Sequence, residues 1–348
     1  MHGVVKTMTL ANKYRPKTFD DVVGQEIVVN ILKNMCSTTL TNRNILLSGP
    51  AGTGKTTLAR IIGNTLNGNQ ASEIVEIDAA SNGNVDATRD IIRQARSFPV
   101  IGKYKIIVYD ECHALSSQAW QSLLKCLEES PARTVFIFCT TNPEKIPDTI
   151  ISRVQRYQLS KIPNSVICER LKAILDKEIA EGRNITYQDE CIDYIAKLAC
   201  GGLRDALTLT DKALVYSENI TPESIANALE LPDFDSYFKL VGSYAKKDNG
   251  TIISIISSVY NSGVNFIQWI EKLHSFVMDI VKYIYMQDID STKIPSHYSD
   301  KLKNYTVSHA NICIRLSSVL LQIISELKST SYQEEVTLSY LCTQQKKA

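Results

Sequence analysis

The stretch NILLSGPAGTGKTTLARIIGNTL, Asn44 to Leu66, constrains this chain more than any other. An apolar block enters a glycine-rich turn and leaves it as a helical pattern, so a strand, a loop and a helix N-terminus follow in order. Gly49-Pro50-Ala51-Gly52-Thr53-Gly54-Lys55-Thr56 fits G-x-x-x-x-G-K-[ST], with Thr57 directly behind it. Glycines let the backbone curl until several N–H groups point at one place, and the helix N-terminus adds partial positive charge there. The product is a phosphate cradle. Lys55 is positioned for the β- and γ-phosphates of a nucleotide, and the Thr56 hydroxyl for Mg²⁺.

A second segment completes the chemistry. KIIVYDECHALS is an apolar strand that ends in Asp110 and Glu111. In a parallel sheet that end opens onto the crevice the phosphate loop occupies. Asp110 suits the water shell of Mg²⁺, and Glu111 suits the orientation and deprotonation of an attacking water. Phosphoryl transfer also needs polar or cationic groups near the γ-phosphate. Thr140, Thr141 and Asn142 at the end of FIFCTTNP, Arg153 in ISRV and Arg204 in GGLRDAL are the candidates.

Composition narrows the rest. A chain of 348 residues with 44% hydrophobic and 22% charged residues has the balance of a globular protein of two or three domains. No apolar leader with a cleavage site opens it, and no later run reaches the uncharged length needed to span a bilayer, so a cytoplasmic protein without membrane contact is expected. Nine cysteines without a C-x-x-C pair indicate neither a disulfide framework nor a zinc cluster. A net charge of +1 excludes a uniformly basic surface, so any nucleic-acid contact must come from a local stripe.

Strands are predicted at Ile45–Ser48, Ile74–Ile77, Lys105–Tyr109 and Thr134–Cys139, alternating with helices, as in an α/β domain with a parallel sheet. After Ser160 the chain reads as helical throughout. ELPDFDS supplies a joint, beyond which Phe266, Trp269, Ile270, Leu273, Phe276, Val277 and Ile280 form one helical stripe, and Leu316, Val319, Leu320, Ile323 and Leu327 belong to another.

With these pieces in order, the chain resembles the AAA+ ATPase subunits of sliding-clamp loaders, most closely the bacterial DnaX (gamma/tau) type, with replication factor C small subunits more distant. The segments KYRPKTFDDVVGQE, GPAGTGKTTLAR, VYDECHALSSQAWQSLLKCLEE, TTNPEKIPDTIISR and GGLRDALTLTDKA carry the resemblance, over roughly residues 10–230. It implies an α/β P-loop NTPase domain (1–161), an all-α lid (162–232) and an all-α C-terminal collar (233–348). It also implies ATP and Mg²⁺ as ligands, and companion subunits in a pentameric ring, a sliding clamp and primer–template DNA as partners. Thr141 matches the sensor-1 position, Arg153 the finger that reaches a neighbouring subunit's ATP, and Arg204 the lid arginine. Arg15, Val22 and Val23 match the adenine-side strap. Two departures stand out: GNTLNGNQASEIVEIDAASNGN lacks the four-cysteine zinc module of bacterial relatives, so no zinc is expected, and Val154 replaces the cysteine that usually follows the finger. The implied setting is a bacterial cytoplasm, or a host's if the chain is phage-encoded.

Arg89, Arg93 and Arg96 are spaced by four and three, which aligns them on one helical face. In loaders of this kind such a face grips DNA phosphates without reading bases. The alternative is a solvated face with Asp86 and Asp90 as local partners. Asp110-Glu111-Cys112-His113 also matches a DExH helicase box, but no second RecA-like domain follows. A loader subunit that has lost hydrolysis is a further alternative, disfavoured by intact Lys55, Thr56, Asp110 and Glu111.

Overall fold

The computed structural model describes residues 8–38, 44–68, 73–229, 234–295 and 298–343. It separates into two compact units, Met1–Gly182 with Ala199–Asp211, and Arg183–Leu198 with Lys212–Ala348. The first is built on five parallel strands, β1 (Asn44–Ser48), β2 (Ile74–Asp78), β3 (Lys105–Asp110), β4 (Thr134–Thr140) and β5 (Gln155–Gln158), in the order β2-β3-β4-β1-β5. Its helices are α1 (Leu10–Lys13), α2 (Glu26–Ser37), α3 (Lys55–Leu66), α4 (Ala79–Asn82), α5 (Val85–Ala95), α6 (Ser117–Glu128), α7 (Asp148–Ile151) and α8 (Asn164–Ala180). After α9 (Asp189–Leu198), which belongs to the second unit, α10 (Leu203–Tyr216) contributes its residues up to Asp211 to the first.

Successive residues of the central strands serve opposite faces of the sheet. Leu46, Ile107, Tyr109, Phe136 and Phe138 pack with Ala95 of α5 and Trp120 and Leu123 of α6. Ile45, Leu47, Ile106, Val108 and Ile137 pack with Leu32 of α2 and Leu58, Ile61 and Ile62 of α3. Burial on both faces is why these strands read as continuous apolar runs rather than as alternating ones. Because β4 is inserted between β1 and β3, the ends of three adjacent strands deliver the phosphate loop, Thr141 and Asp110 to one edge of the sheet. Strand order reverses beside β1, and the crevice at such a point is where ligands of open α/β sheets bind.

The second unit contains α11 (Pro222–Ala228), α12 (Phe234–Lys246), α13 (Asn249–Asn261), α14 (Phe266–Met286), α15 (Ser299–Leu302), α16 (Val307–Leu327) and α17 (Gln333–Thr343). The Asn265 side chain caps α14 by accepting from the Gln268 N–H, and Asp248 caps α13 through the Thr251 N–H. Leu273, Val277 and Ile280 of α14 share one core with Leu316, Leu320 and Ile323 of α16. Phe276 stands among the rings of Phe234, Tyr237 and Phe238.

One sequence expectation needs correction here. The segment after Ser160 is not helical throughout, because β6 (Thr186–Tyr187) and β7 (Asn219–Ile220) form a small parallel ladder. Strands of two residues carry no period to read. One helix, α16, is long and apolar enough to cross a membrane by length and composition, although Arg315 and Glu326 interrupt its uncharged run. Its apolar stripe is core, however, with Leu316, Val319, Leu320 and Ile323 buried. Most of the expected ELPDFDS joint, residues 230–233, lies outside the described residues.

Candidate active site

The phosphate loop begins where β1 ends, with the Gly49 N–H donating to the Thr140 carbonyl at 3.2 Å. Gly54 caps α3 at φ 102, a conformation that glycine adopts without a side-chain penalty. Gly52 (φ 71) lies so close to the GGLRD segment that a Cβ would stand 2.9 Å from Asp205 Oδ2 and 3.1 Å from Gly202 Cα. Glycine at this position is therefore required twice, by its dihedral angle and by the approach.

Lys55 is buried, and its Nζ donates to the carbonyls of Gly49 and Pro50 at 2.9 and 2.8 Å. Burial pushes its ammonium below the usual lysine range, against the pull of Glu111 and Asp110. An anion held by the loop would supply the negative charge that this environment lacks.

The Thr56 hydroxyl donates to Asp110 Oδ2 at 2.8 Å, while the Glu111 N–H donates to Asp110 Oδ1 at 3.1 Å. Thr56 and Asp110 thus form a pair of hard oxygen donors at the mouth of the loop. Mg²⁺ is held through one or two protein oxygens with phosphates and waters, and this pair fits it. Among the described residues no group of three or more His, Cys, Asp or Glu side chains is gathered in a way that could hold a metal ion. Residues 69–72, part of the segment in which no zinc module is expected, lie outside the described residues.

Glu111 sits in the left-handed region at φ 47, an uncommon conformation for a residue with a side chain. The Thr141 hydroxyl donates to its Oε2 at 3.1 Å. His113 Nδ1 lies 3.3 Å from the same oxygen and 3.1 Å from Thr140 Oγ1.

Beside the loop a cleft is lined by Arg15, Val22 and Val23 as well as by Ala51–Thr57, Asp110, Glu111 and Arg204. Burial, then the guanidinium groups of Arg60 and Arg204, lower the pKa of Arg15, so the cleft gathers positive charge near the loop. Tyr14, Ile162, Leu203 and Leu207 also line the cleft, and the sequence reading did not single them out. The apolar members are ordinary helix and loop residues in sequence, and only the fold assembles them into a wall.

The segment that carries Tyr14 and Arg15 is tied down at three points. Lys13 Nζ binds Glu178 at 2.5 Å and also pairs with Glu181. The Tyr14 hydroxyl donates to Glu178 at 2.6 Å, and the Leu10 N–H donates to Asp211 Oδ2 at 2.9 Å. Burial and the bond to Glu178 push the Tyr14 phenol up to about 12.

Arg153 is not among the residues that line the cleft. Its Nε donates to Glu128 Oε1 at 2.9 Å, and Nη1 donates to the Thr149 carbonyl at 2.5 Å and to Ser152 Oγ at 3.1 Å. Arg89 and Arg93 lie exposed on α5, paired with Asp86 at 3.3 Å and Asp90 at 3.0 Å, and Arg96 caps the end of that helix.

Residues 69–163 match the family model described as DNA polymerase III, delta subunit, and residues 166–219 match that of the DNA polymerase III clamp loader subunit, ATPase lid domain. Residues 18–100 match the model of magnesium chelatase, subunit ChlI. DNA polymerase III subunit gamma of Buchnera aphidicola is 32% identical over 85% of this chain and 86% of its own length. The gamma/tau subunit of Mycoplasma genitalium is 30% identical over 89% of this chain, and the tau subunit of Bacillus subtilis is 34% identical over 78%. This chain spans 58% and 51% of the lengths of those two relatives. A RuvB variant of Thermotoga maritima superposes with a TM-score of 0.52 at 21% identity, over 65% of this chain and 78% of that one, a likeness of fold.

Proposed function

The chain belongs to the DNA polymerase III gamma/tau family, and from that premise we propose that it is the ATPase subunit of a sliding-clamp loader. The observation that carries this reading is the convergence of Lys55, Thr56, Asp110, Glu111, Thr141 and Arg204 around one phosphate loop and its cleft. Lys55 leaves its two carbonyl partners for the β- and γ-phosphates, exchanging neutral acceptors for an anion. Thr56 and Asp110 would hold Mg²⁺, which would supply neutralisation of charge on the phosphates when bound. Glu111 orients water and accepts its proton while Thr141 holds the carboxylate. Arg204 approaches from the lid side, and Val22 and Val23 with Tyr14 bound the base.

Arg153 acts in the neighbouring subunit's site in this reading. It exchanges Glu128 for a γ-phosphate when subunits pack side by side, so hydrolysis depends on assembly. ATP binding then favours a spiral that opens the clamp and encircles primer–template DNA, and hydrolysis releases both. Arg89, Arg93 and Arg96 are proposed phosphate contacts, a role that requires Arg89 and Arg93 to give up Asp86 and Asp90. The division into domains at 1–161, 162–232 and 233–348 belongs to the same proposal.

The test is steady-state ATP hydrolysis by the purified chain alone and with companion subunits, with and without clamp and primer–template DNA. Stimulation that requires all of them supports the reading. Strand unwinding, or DNA stimulation indifferent to partners, overturns it. Arg153→Ala should reduce hydrolysis in the assembly by about 10³-fold while ATP binding by the isolated chain persists.

A further inference from the structure

We propose that His113 is a positioning residue for Glu111, acting through a proton on Nδ1 that anchors Oε2 and leaves Oε1 to take the proton of the attacking water. The inference rests on the reading of Glu111 as the base of ATP hydrolysis.

The argument begins with the backbone. β3 ends at Asp110, and the chain turns at once into a single 3₁₀ turn, Cys112–Ala114, closed by the Ala114 N–H donating to the Glu111 carbonyl at 2.9 Å. The left-handed conformation of Glu111, φ 47 and ψ 43, is what allows so sharp a turn. A residue with a Cβ holds this conformation only where its surroundings enforce it. One consequence of the turn is that the His113 ring folds back against the Glu111 carboxylate.

The protonation state follows from the neighbours of Nδ1. One is Glu111 Oε2 at 3.3 Å, and an ionised carboxylate only accepts hydrogen bonds. The other is Thr140 Oγ1 at 3.1 Å, already an acceptor for the Asn142 N–H at 3.0 Å. Were the ring proton on Nε2 alone, the Nδ1 lone pair would face the carboxylate oxygen. With the proton on Nδ1, Thr140 Oγ1 accepts it and the positive end of the N–H faces Oε2. Thr140 is wholly buried at the end of β4, so it fixes the place of the ring rather than following it.

Oε2 then accepts from the Thr141 hydroxyl and has the His113 Nδ1–H, which is bonded to Thr140 Oγ1, facing it at 3.3 Å. A hydrogen bond and a facing N–H on one oxygen favour a single rotation of the carboxylate and direct basicity to the other oxygen. In the step this serves, a water O–H proton passes to Glu111 Oε1, the water oxygen bonds to the γ-phosphorus, and the bond from that phosphorus to the ADP oxygen breaks. No oxidant or further reactant is needed.

His113→Leu and His113→Asn separate positioning from packing, because the Asn amide nitrogen lies one bond from Cγ, as Nδ1 does. In the complete, DNA- and clamp-stimulated assembly, His113→Leu should lower kcat by about ten- to a hundredfold, the scale of a misplaced catalytic group. KM should stay within about twofold, and His113→Asn should recover most of the rate. A kcat for His113→Leu equal to wild type, or a His113→Asn as slow as His113→Leu, overturns the proposal.

A second measurement needs no turnover. In a long-range ¹H–¹⁵N spectrum of the full chain, assigned among its five histidines by the His113→Asn variant, Nδ1 of His113 should carry the proton at neutral pH. A ring protonated on Nε2 alone overturns the proposal. Should the wild-type assembly fail to hydrolyse ATP, the reading of function fails by itself, while the spectrum still decides where the proton lies.

Discussion

The two units bury polar groups to different ends. In the first, Lys55, Thr53 and Thr140 are buried at the ends of parallel strands, and their partners are loop carbonyls, a backbone N–H or a histidine, all beside a cleft. In the second, buried polar groups are joined to their neighbours for packing. The Tyr237 hydroxyl donates to the Trp269 carbonyl at 3.0 Å, and Asp279 takes Lys282 at 2.8 Å and the Lys293 N–H at 3.1 Å. His274 Nε2 and Ser317 Oγ, 2.9 Å apart, join α14 to α16. One arrangement leaves polar groups ready to exchange partners, and the other uses them to hold helices in place. Substitutions should therefore separate function from stability according to the unit they strike.

The largest expected effect lies in the second unit. Phe276 is 3% exposed among three other rings, and Phe276→Ala should cost about 3–5 kcal/mol of that unit's stability through lost burial and a residual cavity. The chain contains two tryptophans, Trp120 in the first unit and Trp269 in the second, so Trp120→Phe and Trp269→Phe backgrounds make denaturant unfolding reportable unit by unit. The Trp269 transition should move to lower denaturant while the affinity for a fluorescent ATP analogue stays constant. A loss of nucleotide affinity equal to that of a loop mutant would break the comparison.

Lys55→Met tests its converse. It should reduce nucleotide affinity or hydrolysis by about 10²–10³-fold, the usual cost of losing a preorganised donor at a phosphate. The Trp120 transition should hold its place or rise, because a buried ammonium whose pKa is pulled down by burial is replaced by a side chain that needs no solvation. A large fall in the unit's stability would mean that Lys55 fastens the loop in the absence of nucleotide.

These contrasts also explain what could be read from the sequence. The strands β1, β3 and β4 announce themselves because both faces of the sheet are covered there and the runs are largely apolar, while β2 is read from Ile74, Val75 and Ile77 although it lies at the sheet edge. β5 does not, since QRYQ lies at the sheet edge, pairs only with β1 and alternates between half-buried and exposed. Lys55, Thr56, Asp110 and Glu111 are legible because their chemistry is tied to a local spacing. Tyr14 escapes because its partner Glu178 is 164 residues away, and such a pairing leaves no mark on the local pattern. The bond between Thr141 and Glu111 likewise depends on β4 being inserted beside β3, which is a fact of topology. In the second unit the stripes of α14 and α16 are visible as packing surfaces, and nothing in their composition states more than that.

A smaller effect is expected where the first unit ties down its N-terminal segment. Glu178→Gln keeps the shape but removes the charge that Lys13 and Tyr14 share, and should weaken binding of the ATP analogue about fivefold, near the net worth of one ordinary hydrogen bond. The Trp269 transition should not move. An unchanged affinity would show that the segment stays against the cleft without this tie, and the difference between the units would then narrow to the phosphate loop itself.

The smallest effect concerns Asp21, beside Val22 and Val23 of the cleft wall. The Thr18 hydroxyl at 2.8 Å and N–H at 2.9 Å, with the Lys17 N–H, hold its carboxyl below the usual aspartate range. A depressed folded-state pKa means that the unfolded chain binds the proton more readily, so the charged form favours the fold above the ordinary value near 3.8. That contribution shrinks as pH falls through the folded-state pKa and is absent below it. Asp21→Asn should therefore be slightly less stable than wild type at neutral pH by the Trp120 transition, with the gap closing as pH drops below about 4. A gap that stays constant with pH would assign the difference to the shape of the turn rather than to its charge, and the tie would then resemble the pH-independent packing of the second unit.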